Sequence, residues 1–582
     1  MFFCCKVTTF FKNRQEVFPY PCMGFSLNNE IIGDFYIFFI VFIAIFRFYY
    51  YLCSPNKRIM GNRLLFSFMA LSMMSLAAHA QSSTQKKELL DSLHYMVEMQ
   101  GSVAFDGSNT PLWLNANKHG LSSLAKNNCY LRVAAIKPII FSDNKKWGVG
   151  YGLDLVGAVN YTSNAFVQQA YAEGKWLKGT LTIGSKEYPM ELKNPTLSSG
   201  SQTLGINARP VPQVRIALED YWHVPFTRGL VSIKGHIAYG RFSDDNWQKD
   251  FTAMQHSYVE DYSYHSKAGY ILISSPKPTS HVSLELGVEM ATQYGGTSYI
   301  GENGIFKTYH NKGGLSGMID AFIPGGDGDA SEGDYKNVSG NMLGSWLARL
   351  NLYYDKWYLG IYADHFFEDH SAMFFLDYDG YGTDEEWNVK KNNHFLLYAL
   401  KDIMLGVDFR LKNSSAWINN VVVEYLYTKY QSGPIYHDHT QLMPDHIGGL
   451  DCYYNHHLMP GWQHWGQVMG NPLYRSPLYN TDGKVEVKNN RFVAWHLGIG
   501  GNPSPQVSYR FLATYQKGWG TYKAPFPDPQ TNICMMGEAT YCFGNKTLFK
   551  GCSVKGALGL DHGKTYGNNF GLQLTIRKTG LF

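Results

Sequence analysis

Glu368 and Asp369 stand side by side in "YADHFFEDHSAMFFLDYDGYG" (362–382), with Asp377 and Asp379 close behind. A glycosidase needs two carboxyl groups flanking one sugar bond, one as acid and the other as nucleophile or base. Adjacent residues on a strand point to opposite faces, so the plainer reading is carboxylates that pair with Arg or Lys. Ser198, Ser199 and Ser201 in "LSSGSQ" lack the G-x-S-x-G spacing that lifts a serine nucleophile out of an elbow. They read as a tight Gly-rich turn. The histidines of "YHDHT" (436–440) and "YYNHH" (453–457) could ligate a transition metal, but a wet loop with unligated His accounts for them equally simply. "GGDGDASEGD" (325–334) offers Asp327, Asp329, Ser331 and Asp334 as oxygen donors, yet lacks the Gly at position six and Glu at position twelve of a Ca²⁺ loop. "WGVGYG" (147–152) places Gly on alternate strand positions and is not a dinucleotide fingerprint. The expectation is a protein with no catalytic chemistry, no metal and no cofactor.

Sugar binding fits the residue types better. Flat aromatic faces meet the C–H-rich side of a sugar, planar polar groups meet hydroxyls, and Arg or Lys meets acidic substituents. Tyr453, Tyr454, Trp462, His464 and Trp465 fall together in a Gly/Pro-punctuated stretch, and Trp519 and Tyr522 follow another strand. The bland alternative for each aromatic is girdle or loop packing. Asn207 and Arg209 join the candidate ligand-binding set with Glu368, Asp369, Tyr453, Tyr454, Trp462 and Trp465; their alternative role is to fix the network around the Ser-Ser-Gly block.

What must position such residues is set by export and by strands. In "MGNRLLFSFMALSMMSLAAHAQS" a basic Arg63, an apolar run and Ala78-His79-Ala80 precede Gln81, the order of a secretory signal peptide. Cleavage is expected between Ala80 and Gln81, with residues 60–80 as the signal and Met60 as the initiator. Residues 1–59, although they hold "DFYIFFIVFIAIFRFYYYLC", are expected to be over-extended upstream translation. Residues 1–80 carry seven of the 51 basic and three of the 47 acidic residues, so the chain from Gln81 onward balances at 44 of each. Net charge therefore gives no reason to expect nucleic acid as a partner. Four of the nine cysteines precede Met60, and Cys129, Cys452, Cys534, Cys542 and Cys552 remain. An odd number without C-x-x-C spacing is neither a zinc site nor a disulfide framework.

The 582 residues include 15% aromatics, 41 Tyr and 58 Gly against only 17% charged residues, a composition suited to strands with aromatic girdles. The segment 85–101 reads as a short helix, or as a helix followed by a strand. From about residue 130 the period is two. "WLARLNLYYDKWYLGIYADH" (346–365) puts Trp346, Ala348, Leu350 and Leu352 on one face and Arg349 and Asn351 on the other. Asp355-Lys356 turns the chain, and Trp357, Leu359, Ile361 and Ala363 resume the apolar face, as in a hairpin. In "SAWINNVVVEYLYTKYQSG" Val421, Val423, Tyr425 and Tyr427 oppose Asn420, Glu424 and Thr428. Strands of about ten residues with one apolar face and aromatic tips are the length that crosses a bilayer. The expected fold is all-β: a closed antiparallel transmembrane β-barrel of about 18 strands over 130–582. Residues 81–129 are expected to form a short periplasmic helical or irregular segment, or a plug.

Several ordered blocks carry a resemblance. "LTIGSKEYPMELKNPTLSSGSQTLGINARPVPQVRI" (181–216), "LELGVEMATQYGG" (284–296), "VVEYLYTKYQSG" (422–433) and "YYNHHLMPGWQHWGQVMGNPL" (453–473), with the 362–382 block, resemble the capsule-assembly Wzi family of outer-membrane proteins. The resemblance spans about residues 100–582. It implies an outer-membrane barrel of 18 strands and a lectin-like role in organising capsular polysaccharide. The partners it implies are extracellular polysaccharide and outer-membrane lipid, and the alternatives are a diffusion channel or a surface glycan hydrolase.

The chain ends on "NNFGLQLTIRKTGLF", where Phe570, Leu572, Leu574 and Ile576 alternate with polar residues. A spanning sheet cannot leave an open edge in lipid, so this strand is expected to pair with the first one. Ile576 and the terminal Phe582 are expected to serve as the assembly signal read by the barrel-insertion machinery, although Lys578 and Gly580 dilute it. Removing Phe582 should lower the amount of assembled barrel in outer-membrane fractions without lowering synthesis; normal assembly would refute that role.

Overall fold

Alternating side chains leave a strand with one apolar and one polar face, and a closed ring of such strands can give the first face to lipid and the second to its interior. In the computed structural model the chain does this with 18 strands. Residues 92–581 are described, apart from 108, 140–145, 278–279, 324–339, 413–415, 437–446, 545–546, 548 and most of 369–401, of which only 375–377, 385, 389 and 394–396 are described.

The strands are β1 (His94–Asp106), β2 (Asn127–Lys137), β3 (Trp147–Val159), β4 (Ala165–Trp176), β5 (Gly179–Ser185) and β6 (Gln213–His223). There follow β7 (Val231–Arg241), β8 (Ser263–Ser274), β9 (Val282–Tyr294), β10 (Asn341–Tyr353), β11 (Trp357–Glu368) and β12 (Ile403–Leu411). The last six are β13 (Asn420–Tyr427), β14 (Phe492–Ser504), β15 (Val507–Gly520), β16 (Pro525–Cys542), β17 (Cys552–Gly563) and β18 (Asn569–Leu581). Each pairs antiparallel with its neighbours in sequence, and β18 pairs with β1 in the register Gln100↔Thr575 and Gly101↔Leu574. No edge remains in the ring, which is what a sheet in hydrocarbon requires.

The two faces separate cleanly along this seam. Leu572, Leu574 and Ile576 of β18 point outward with Val97, Met99 and Val103 of β1, while Gln573, Thr575, Glu98, Gln100 and Ser102 are buried inside. Rings collect at both ends of the outer face. Phe105 packs on Phe570 and Tyr425 on Trp495 at one end; Trp176, Tyr354, Trp357 and Trp417 lie at the other. These are interfacial girdles.

Both described ends of the chain and the short turns, such as 177–178, 354–356 and 505–506, share one end of the barrel, the periplasmic end in proteins of this type. The long segments 107–126, 186–212, 242–262, 295–340, 369–402 and 428–491 all leave from the opposite end.

The 341–368 hairpin matches its sequence expectation, with Leu350 and Ile361 outward and Arg349, Tyr362 and Asp364 buried inward. The expected start of the barrel at residue 130 is corrected, because β1 begins at His94 and lies within the segment assigned to 81–129. From His94 the 85–101 stretch is therefore strand, held by ladders to both β2 and β18. Residues 109–126 of that segment enter the barrel from the end opposite the described chain ends. Its single helical turn, Leu112–Asn115, is wholly buried. Trp113 Nε1 donates to Thr514 Oγ1 at 3.1 Å, and the Leu112 N–H donates to Asp561 Oδ2 at 2.9 Å. The expected upstream piece 1–59, the signal peptide with its Ala80–Gln81 cleavage site, and Phe582 lie outside the described residues.

Candidate functional site

A long segment can sit inside a barrel only if the wall satisfies its backbone and polar side chains. For 186–212 the wall does so with carboxylates. Glu424 Oε1 accepts from the Ser198 and Tyr362 hydroxyls, each at 2.5 Å, and its Oε2 accepts from the Ser199 N–H at 2.7 Å. Lys193 Nζ meets Asp364 Oδ2 at 2.7 Å, with both side chains 1% exposed. Arg349 donates to the Leu192 carbonyl and to Asp408, both at 2.8 Å, and His496 Nε2 lies 2.9 Å from the Leu197 carbonyl. Asn194 Oδ1 closes a local turn onto the N–H groups of Thr196 and Leu197. The Ser-Ser-Gly block is thus a docking element across the lumen.

The second plug segment, within 428–491, packs onto the first. A Cβ on Gly205 would come within 2.6 Å of the Met469 and Gly470 carbonyls, so the close crossing of the two segments requires glycine there. Tyr453, Tyr454 and Trp462 are completely buried. The Tyr453 hydroxyl donates to Asp402 Oδ2 at 3.1 Å, and the Tyr454 N–H donates to Glu368 Oε1 at 2.5 Å. The Tyr454 hydroxyl donates to the Gln202 carbonyl, while its ring stacks on Tyr474 at 4.1 Å. Tyr453, Tyr454, Trp462 and Glu368, expected among the ligand-binding residues, are instead buried with no face to solvent: Tyr453, Tyr454 and Glu368 tie the plug to the wall, and the Trp462 ring lies 6.3 Å from that of Tyr264 on β8. Asp369 lies outside the described residues, as do Asp379, 325–334 and the histidines of 436–440; Asp377 falls in a short strand, Phe375–Asp377. No cluster of three metal-ligating side chains occurs among the described residues.

Asn207, Arg209 and Trp465 form a different group. Asn207 Oδ1 accepts from the Asn117 N–H at 3.1 Å, Asn117 Nδ2 donates to the Ser199 carbonyl at 2.9 Å, and Asn207 Nδ2 donates to the Val468 carbonyl at 3.0 Å. This is the Ser-Ser-Gly network expected for Asn207. The Arg209 guanidinium lies between the rings of Phe166 and Trp465, 3.6 and 4.5 Å from their centroids. Its Nη2 donates to Thr162 Oγ1 at 2.9 Å, whereas buried Nε and Nη1 have no acceptor among the described residues. Burial lowers its pKa to about 9, so it stays cationic at neutral pH.

His464 is buried beside Arg209, its Nδ1 2.8 Å from the Arg209 carbonyl. Burial, with the Arg209 charge adding to it, lowers the His464 pKa to about 4. The folded plug therefore holds a neutral imidazole, while the unfolded segment takes up a proton below its ordinary value of about 6.5. The stabilisation is complete above about pH 6.5 and is lost as pH falls toward 4. Hydrogen exchange at 463–468, corrected for intrinsic rates, should be at least tenfold faster at pH 4.5 than at pH 7.

Against the inner faces of β6 to β9 the plug leaves a cavity of about 330 Å³. Lys186, Tyr188, Arg209, Arg215, Lys234 and Tyr270 are among its lining residues. Lys234 pairs with Glu191 at 2.5 Å, Arg215 with Glu219 at 3.3 Å, and Lys186 with Glu173. The Arg215 guanidinium covers the Tyr188 ring at 4.1 Å. Exposure rises from 6% at Arg209 to about a third at the Glu191 and Glu219 side chains (34% and 32%). Of these residues the sequence reading singled out only Arg209. The alternation of β6 and β7 puts Arg215 and Lys234 on the inward face, but no local signal marks the gap they line.

No family model and no curated protein matches the sequence. Among solved structures, the chain is similar to Wzi, an Escherichia coli outer-membrane protein involved in group 1 capsule assembly and described as a carbohydrate-binding β-barrel. The likeness has 14% identity and a TM-score of 0.46, covering 84% of each chain. It is also similar to Pseudomonas aeruginosa OprD, with 8% identity and a TM-score of 0.39 over 84% of this chain and 94% of that one. Acinetobacter baumannii OccAB4 is comparable, with 8% identity and a TM-score of 0.40 over 84% and 98%. Likenesses at this level assign no activity to the chain.

Proposed function

We propose that this outer-membrane barrel binds and organises capsular or other surface polysaccharide. The observation that carries the reading is the plug: two segments cross the lumen and are tied to its wall by buried ion pairs and carboxylate hydrogen bonds. A filled lumen suits a protein that holds a ligand better than one that passes solutes. The ordered blocks resembling the Wzi family supply the ligand class, and the chain's own residues supply aromatic rings beside cationic groups, the types that grip sugars. Lipid around the girdles and the barrel-insertion machinery complete the partners, and the protein needs no catalytic step for this role. Pull-down of a capsule fragment by the detergent-solubilised barrel tests the reading, with planar-bilayer recording run beside it. Retention of the glycan with no steady conductance is expected. Steady conductance without glycan retention would favour a diffusion channel, and carboxylate-dependent turnover of the fragment would favour a hydrolase.

A further inference from the structure

We propose that Lys429, Arg491 and Lys517 hold the phosphate of an outer-leaflet lipid against the outer wall of the barrel. The site stands apart from the lumen and from the polysaccharide reading.

Strand parity puts the three cations on the lipid side. Tyr425 of β13 and Trp495 of β14 stack on the outer face, and Tyr515 of β15 is exposed there. Lys429, Arg491 and Lys517 continue those rows in steps of two toward the end that carries the long segments. The ladder holds to that height: the Thr428 N–H donates to the Phe492 carbonyl at 2.9 Å, and the Trp519 N–H to the Arg491 carbonyl at 2.8 Å. Lys429 and Arg491 each stand four residues beyond a girdle ring, about 13 Å along the strand. At a strand tilt of about 40° that is roughly 10 Å above the girdle, the level of lipid headgroups.

The side chains gather around one indole. Lys429 reaches across β14, and its Nζ and that of Lys517 lie 4.4 and 5.7 Å from the centroid of the Trp519 ring. The Tyr522 ring covers the Arg491 guanidinium at 3.6 Å. Arg491 Nε donates to the Lys429 carbonyl at 3.2 Å, and its two Nη groups have no acceptor among the described residues. Lys517 is exposed, and Lys429 and Arg491 are half-buried, so a ligand can reach all three.

Their charge is uncompensated. Other cations at this end are paired, Arg241 with Asp261, Lys249 with Glu260 and Lys312 with Asp320. None of the three has a carboxylate partner among the described residues. A single interfacial cation is ordinary snorkelling, but three unpaired ones on neighbouring strands repel one another. A phosphate relieves that repulsion and accepts from both ammonium groups and the guanidinium fork. Because this face continues the girdle and does not open on the lumen, the anion is a lipid's. Its acyl chains would lie below, along Tyr425, Trp495 and Tyr515.

Native mass spectrometry of the detergent-solubilised barrel tests the site, with bisphosphorylated lipid A and its dephosphorylated form as probes. The wild type should retain the phosphorylated form at least tenfold more tightly. Lys429→Gln/Arg491→Gln/Lys517→Gln should lose that preference while keeping the heat-modifiable gel shift, and Lys356→Gln, in a turn at the other end, should keep both. If the triple variant loses the shift, Lys517→Gln is read instead. It should weaken the phosphorylated lipid at least threefold without affecting the dephosphorylated one. Equal retention of the two forms by the wild type, or an unchanged preference in the variant that is read, would overturn the proposal. Displacement of the lipid by equimolar inorganic phosphate would also overturn it, in favour of a free-anion site, and displacement by equimolar polyglucuronate in favour of a glycan site.

Discussion

Lys193→Met is expected to unseat the 186–212 segment at a cost of about 3–5 kcal/mol, the usual penalty for breaking a buried ion pair from one side. Lys193 and Asp364 are both 1% exposed and 2.7 Å apart. Removing the cation leaves the Asp364 carboxylate in the packed lumen with, among the described residues, the weaker donors of Gln202, at 3.4 Å from its N–H and from its side-chain amide. The barrel itself should survive, because its ladders do not depend on the plug. Hydrogen exchange at 197–204 should accelerate, and steady channel openings should appear in planar bilayers. The double variant Lys193→Met/Asp364→Leu removes both charges and should recover most of the protection, since well-packed apolar replacements of buried pairs are often neutral. Unchanged exchange in the single variant would mean that this pair does not hold the plug.

Leu574→Arg should cost about 2–4 kcal/mol, the range for a cation on the lipid face at the bilayer midplane. Leu574 is near the middle of β18, points outward and is 53% exposed. Lys578, four residues nearer the turn-bearing end on the same face, shows that a charge is tolerated close to the interface, where that cost falls toward zero. Denaturant unfolding from lipid vesicles measures the difference, with Leu574→Phe as an apolar control that should stay close to wild type. A Leu574→Arg barrel as stable as wild type would refute the placement of this face in hydrocarbon.

The barrel was largely legible because the property that makes it is local. A period of two decides which side each residue faces whatever its partner, so Leu350, Ile361 and Val423 could be placed outward, and Arg349 and Glu424 inward, from spacing alone. β1 was harder: between His94 and Asp106 it mixes Tyr95, Met96, Met99 and Gly101 at irregular spacing, and its identity as a strand comes from ladders to β2 and to the far end of the chain.

The plug could not be read in the same way. Tyr453, Tyr454 and Trp462 sit in a Gly/Pro-punctuated segment, and such segments normally run over a surface. What turned this one inward is a set of partners remote in sequence: Glu368 for the Tyr454 N–H, Gln202 for its hydroxyl, and Asp402 for Tyr453. Beyond β1, the sequence by itself determined the strand pattern, its two faces and the closing role of the last strand, because backbone pleating enforces those one residue at a time. Only the tertiary structure decided that the plug segments pack across the lumen and that Arg209, close to the rings of Phe166 and Trp465, has no carboxylate partner among the described residues. Those outcomes depend on which groups meet across the barrel, and spacing along the chain does not encode distance through it.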